Sequence, residues 1–163
     1  MGFTLVELMI TVAVLAVIAA IAAPSMTGLL NSNRLNGQAN EMVSGLQLAR
    51  SEAIRRNAPV LVCASNDGAT CANSGAWDRW IVLGQANATD AAEVIRDTSA
   101  GSLTQISGPR TGIRFAPSGM LPAQAVVTVC IPTDNPSLNQ RAVTVAVGGG
   151  TRVDRANGGG TCP

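Results

Sequence analysis

The chain has 163 residues, a net charge of +1, and neither His, Lys nor Tyr; all 11 basic residues are Arg. That length fits one domain with an appendage, and without His or Lys the commonest acid–base and Schiff-base active sites cannot be assembled. Near-neutrality excludes a general attraction to nucleic acid or acidic lipid, so any such contact must be local. An enzyme built on Asp, Glu, Ser or Cys is the alternative, but no spacing of these residues favours one. Neither a GK[ST] nor a GxGxxG loop is present to hold a phosphate. The expectation is a chain that is not an enzyme and has no cofactor or metal.

Apolar residues crowd at the front. In residues 3–23, FTLVELMITVAVLAVIAAIAA, the only polar members are two Thr and Glu7. About twenty helical residues at 1.5 Å each cross a hydrocarbon core about 30 Å thick, so this run is long enough to span a membrane. A cleaved secretory signal is the competing reading, because Ala20-Ile21-Ala22 offers a small-residue cut site. Against it, no basic residue precedes Arg34 and the run carries a carboxylate near its start. A carboxylate in an apolar helix is costly unless it is paired, neutralised or held at the headgroup level. Glu7 therefore calls for a partner or an interface.

The segment Gly2-Phe3-Thr4-Leu5-Val6-Glu7-Leu8, followed by an apolar helix, resembles the prepilin processing motif of type IV pilins and type II secretion pseudopilins. In that family a prepilin peptidase of the inner membrane cuts after the Gly, and the new N-terminal residue is N-methylated. The resemblance implies cleavage between Gly2 and Phe3, methylation of Phe3, and residues 1–2 as a leader remnant. It implies that Glu7, the fifth mature residue, pairs with the N-terminal ammonium of a neighbouring subunit. Pro24 stands where the family usually has a Pro, and is expected to kink the helix.

Past Pro24 the polarity rises through Ser25, Thr27, Asn31, Ser32, Asn33 and Arg34, marking an exit from the membrane near residue 26. Leu35, Ala39, Met42, Leu46, Ala49 and Ala53 recur at spacings of four and three, an apolar stripe that needs a partner surface. Pro59 predicts the helix end near Asn57. Arg50, Arg55 and Arg56 read as a solvated helix face near a C-terminus, where the macrodipole favours cations. The segment LARSEAIRRN, residues 48–57, followed by a valine-rich strand and Cys63, resembles the FimT/FimU minor pilins and the related GspH pseudopilins.

Beyond Pro59 short β-rich runs are predicted at 60–64, 80–83, 94–97, 103–106, 113–116, 126–131 and 142–147, with polar loops at 66–75 and 132–139. The expected fold is α+β and type IV pilin-like. Its long N-terminal helix (3–57, with 3–26 in the membrane) packs its amphipathic half on an antiparallel β-sheet domain, residues 58–163, in the periplasm. Trp77 and Trp80 read as core. Cys63, Cys71, Cys130 and Cys162 lack zinc-site spacing. Three disulfide pairings are open; the turn signal Asn66-Asp67-Gly68 favours Cys63–Cys71, which leaves Cys130–Cys162. Four reduced thiols is the alternative.

Glycines 148–150 and 158–160 read as flexible punctuation. The tail GGTRVDR, residues 149–155, loosely resembles the arginine-bearing tail of FimT proteins, some of which bind DNA during natural transformation. That resemblance implies weak, salt-sensitive DNA contacts from Arg141, Arg152 and Arg155. The functional expectation is a minor pilin of a type IV pilus, held in inner-membrane lipid and then built into the filament near its tip with other pilins and minor pilins. The alternatives are a DNA-binding minor pilin and a GspH-type pseudopilin of type II secretion.

Overall fold

In the computed structural model, residue 2 and residues 4–85 and 91–163 are described, residues 21–25 through their backbone alone. Phe3, and the side chain of Pro24 with the kink expected there, lie outside that description. One helix, α1 (Leu5–Arg56), is followed by eight strands: β1 (Val60–Ala64), β2 (Arg79–Gln85), β3 (Ala92–Ser99), β4 (Gln105–Ser107), β5 (Ile113–Phe115), β6 (Ala125–Cys130), β7 (Gln140–Val145) and β8 (Thr151–Ala156).

The helix has 52 residues, about 78 Å at 1.5 Å per residue. Thr4 caps its start by accepting from the Glu7 N–H at 3.3 Å, which satisfies one of the donors a helix leaves open there. At the other end Asn57 takes the left-handed conformation, with φ 49°, and its N–H donates to the Ile54 carbonyl. This closes the helix two residues before Pro59, as the sequence predicts.

The strands form two antiparallel sheets, of order β3-β2-β1-β5 and β4-β6-β7-β8. The expected helical stripe of Leu35, Ala39, Met42, Leu46, Ala49 and Ala53 is buried throughout, against Val60, Val62 and Val82 of one sheet and Val127, Val129, Val143 and Val145 of the other. The C-terminal half of α1 is thus the spine on which both sheets close. Trp77 and Trp80 are both buried in this core.

Two features depart from the sequence reading. The single sheet becomes two, the chain passing between β3 and β4 from the first to the edge of the second, and the Trp77 backbone N–H, donating to the Ile106 carbonyl at 2.7 Å, links them. The tail read as glycine punctuation and charge is strand β8, paired along its length with β7 from Val145↔Thr151 to Gln140↔Ala156. Its charged residues suit an edge strand, where they discourage further pairing, but they hid the period that marks a strand.

The loop 132–139 is largely exposed, and Asn135 docks it on the helix. The Asn31 Nδ2 donates to the Asn135 carbonyl at 2.8 Å, and Asn135 Nδ2 to Thr27 Oγ1 at 3.2 Å. Gly28 leaves room for this contact, since a Cβ there would lie 2.2 Å from Asn135 Oδ1. The globular part therefore grips α1 as far forward as residue 27.

Candidate functional site

Forward of that grip α1 stands alone. Leu5, Val6, Leu8, Met9, Ile10, Val12 and others through Ile18 are all more than half exposed, as are Met26, Leu29 and Leu30. Covering such side chains is worth about 1.5–3 kcal/mol each, and nothing among the described residues covers them. Among the described residues no helix is long and apolar enough to cross a membrane; the expected span 3–26 includes Phe3 and the side chains of 21–25, which lie outside that description.

Glu7 lies on this apolar rod and has no basic partner among the described residues. Thr4 Oγ1 lies 3.5 Å from Glu7 Oε2, at the outer limit of a hydrogen bond, so the carboxylate remains open to a group from another molecule. Further along, the outward face of α1 changes character. Asn33, Gly37, Asn40, Ser44, Gln47 and Ser51 are exposed at spacings of four and three, opposite the buried stripe. That face carries no charge and small side chains, so another helix can approach it closely.

Charge is gathered instead beside the end of α1. Glu52 accepts from Arg55 Nη2 and from Arg56 Nε, each at 2.6 Å, and Arg56 also pairs with Glu93 at the start of β3. The Arg55 and Arg56 hydrogen bonds hold the Glu52 carboxyl down, from 4.5 to about 2. A group whose folded pKa is lowered contributes stability that is present above its unfolded value and is lost as pH falls through the folded one. Stability should therefore decline between about pH 4.5 and about pH 2, and Glu52→Gln should flatten that decline, which unfolding midpoints at about pH 5 and about pH 2.5 will measure.

The structure pairs Cys63 with Cys71 and Cys130 with Cys162, and no described cysteine is free. The first bridge spans the predicted turn, in which Asp67 Oδ1 accepts from the Ala69 and Thr70 N–H groups at 2.8 Å. Those bonds hold the Asp67 carboxyl well below the ordinary carboxylate range. The second bridge ties the C-terminal segment to β6, helped by buried Asn139, which donates to the Ile131 and Thr161 carbonyls and accepts from the Gly158 N–H.

The three arginines read as DNA contacts do not form one exposed cluster, although Arg141 and Arg155 are cross-strand partners in β7 and β8. Arg141 is 2% exposed and points into the fold, donating to Asn36 Oδ1, Ser32 Oγ and the Leu138 and Gln140 carbonyls. A guanidinium with its donors spent on the fold's own acceptors cannot reach a phosphate, so Arg141 is a structural residue. Arg152 pairs with Asp154 at 2.8 Å. Arg155 is exposed and, alone of the three, faces solvent with no carboxylate partner among the described residues.

The Asn135 grip, and a cleft that Arg50 lines with Ile54 and the turn between β7 and β8, carry no signal in the sequence, since Asn in a loop and Arg on a helix are both ordinary surface residues. Among the described residues no group of His, Cys, Asp and Glu could hold a metal ion.

Comparison with known proteins agrees with this architecture. The profile of the family described as type II transport protein GspH matches residues 38–150, and that of the prokaryotic N-terminal methylation motif matches residues 2–23. The fold is similar to the type IV minor pilin FimU of Pseudomonas aeruginosa, at 18% identity over 76% of this chain and 90% of that one, with a TM-score of 0.58. It is also similar to the minor pseudopilin EpsH of the Vibrio cholerae type 2 secretion system, at 16% identity over 75% of this chain and 97% of that one, with a TM-score of 0.56. No curated protein matches the sequence. With its methylation motif, its long helix and a globular part covered by the profile over most of its length, the chain belongs to the GspH family of minor pilins and pseudopilins.

Proposed function

We propose that the chain is a minor subunit of a type IV pilus, processed between Gly2 and Phe3, methylated at Phe3, stored in the inner membrane through residues 3–26 and then assembled into the filament near its tip. The observation that carries this reading is the bare apolar half of α1 with Glu7 on it. Lipid covers that surface before assembly and the helices of other pilins cover it afterwards. Residues 58–163 are then periplasmic, and the role is structural rather than catalytic. Glu7 gains its partner, the N-terminal ammonium of a neighbour, only when a subunit docks. The same contact favours correct axial register, since an unpaired carboxylate among apolar helices is costly.

Glu7→Ala should lower the amount of this subunit recovered in sheared filaments about tenfold, the equivalent of about 1.4 kcal/mol. Membrane levels should be unchanged, as read by immunoblot of both fractions. Normal recovery in the filament fraction removes Glu7 from the assembly contact. Replacing Gly2 should leave the N-terminus uncut and Phe3 unmethylated, which intact-mass measurement detects.

A pseudopilin of type II secretion is the second reading, favoured by the family profile over residues 38–150. The segment 48–57 and the two disulfides support the pilus. Deleting the gene separates the two: loss of surface pili with protein export intact supports the first reading, and loss of export with pili intact transfers the chain to the second.

A further inference from the structure

We propose that Arg50, in a cleft between the end of α1 and the turn joining β7 to β8, is the receptor for a carboxylate side chain presented by an adjoining filament subunit. The inference rests on the filament reading above and adds a contact at the opposite end of the helix from Glu7. Arg50 Nε is buried and has no hydrogen-bond partner. Its neighbours on the helix, Arg55 and Arg56, are paired with Glu52 and Glu93; Arg50 has no carboxylate among the described residues. A buried donor without an acceptor costs stability, and Arg50, half-buried as a whole, also lines a cleft open to groups from outside the chain.

The surroundings are built to admit one. The cleft, of about 280 Å³, is lined by Gln47, Arg50, Ser51, Ile54, Gly149 and Thr151, among others. Gln47 Nε2 donates to Thr151 Oγ1 at 3.4 Å, tying the helix to β8 beside the cleft. Gly149 and Gly119 both have positive φ, and a Cβ would stand 2.7 Å and 3.2 Å from Arg50 Nε. Any larger residue at these two turns would displace the guanidinium, so the glycines set its position. Ser51 and Thr151 add polar side chains to the lining of the cleft.

The chemistry favours a single protein carboxylate. A guanidinium presents a planar fork that suits a carboxylate or a phosphate. A nucleic-acid backbone is held by several cations in a row, whereas here one recessed cation stands beside Ile54, which is 52% exposed. A lone arginine with an apolar neighbour at the mouth of a cleft is the pattern of an anchor point in a protein interface.

The test uses the full-length chain in cells, with Ile54→p-benzoylphenylalanine as a photocrosslinker and filaments sheared after irradiation. The expected result is an adduct to a pilin-type subunit whose mapped segment contains Asp, Glu or a C-terminal carboxylate. Arg50→Lys should keep most of it and Arg50→Gln should lower it about tenfold, with both disulfides formed in each variant. Arg50→Glu combined with Lys at the mapped carboxylate should restore it. An undiminished adduct in Arg50→Gln, a mapped segment with no carboxylate, or an adduct to nucleic acid overturns the proposal. If Arg50→Gln does not fold, the charge-reversed pair decides, and failure to restore overturns it. The filament fraction separates this failure from that of the filament reading: a chain that enters filaments with an adduct indifferent to Arg50 sinks the site alone. One that never enters them sinks both.

Discussion

Gly45→Ala should destabilise the protein by about 2 kcal/mol, although the substitution improves intrinsic helix propensity by about 1 kcal/mol. Gly45 lies on the buried side of α1 and Trp80 of β2 lies against it. A Cβ at position 45 would stand 2.3 Å from Trp80 Cη2 and 2.5 Å from Cζ3. The ring cannot retreat easily. Trp80 is 1% exposed, and the Arg96 guanidinium lies 5.8 Å from its centroid, itself hydrogen-bonded to Ser44 and Glu41 on the helix. Overpacking of that kind costs about 1–3 kcal/mol for one methyl group, enough to outweigh propensity. Gly45→Leu should cost more than about 4 kcal/mol and leave little folded domain. Trp77 and Trp80 are the chain's two tryptophans, so their fluorescence in a denaturant titration of the detergent-solubilised chain reports the loss directly. The sign of the coupling distinguishes a clash from a generic effect: Trp80→Phe should be less harmful in the Gly45→Ala background than alone, because the smaller ring makes room. An Ala variant at least as stable as the native chain would show that the ring moves freely.

The Gly45 slot shows why part of the molecule is legible in the sequence and part is not. The stripe from Leu35 to Ala53 announces its buried face by period alone, and the first half of the helix by the absence of polar residues. The pairing of Cys63 with Cys71 follows from a local turn whose Asp67 makes the bonds expected of it. A glycine in the middle of a helix, by contrast, says only that something comes close. Which ring comes close is decided by a strand thirty-five positions later in the chain. The division into two sheets is equally non-local, since it depends on β5 returning to pair with β1 and on β4 pairing with β6. Strand β8 was hidden because an edge strand exposed on one side can carry Arg152, Asp154 and Arg155 without penalty, and these residues erase the apolar alternation. The cleft at Arg50 is hidden for a related reason: its other wall is the β7–β8 turn, whose place depends on β8.

Arg141 carried a signal that charge obscured. In β7 the burial alternates, with Arg141, Val143 and Val145 buried and Gln140, Ala142 and Thr144 half-buried, so Arg141 shares the parity of two core valines. Burial pulls the Arg141 guanidinium below the usual arginine value, and Arg155, its cross-strand partner, adds to the effect. Arginine nonetheless stays charged in proteins, which makes its hydrogen bonds strong ones. Arg141→Ala should therefore cost about 3 kcal/mol, since hydrogen bonds to a charged group contribute about 1.5–3 kcal/mol and four acceptors lose their donor at once. Arg141→Lys should recover only part of this loss, because an ammonium cannot span acceptors on the helix and on its own strand together. Arg155→Ala should stay within about 0.5 kcal/mol of the native chain, as expected of an exposed position without a partner. The three variants also separate stability from DNA binding. If binding by the full chain falls in Arg141→Ala in proportion to the unfolded fraction, while Arg155→Ala lowers it with the fold intact, then Arg141 acts through the fold and Arg155 through contact. Equal stability of Arg141→Ala and the native chain in the same titration would contradict the buried position of the guanidinium.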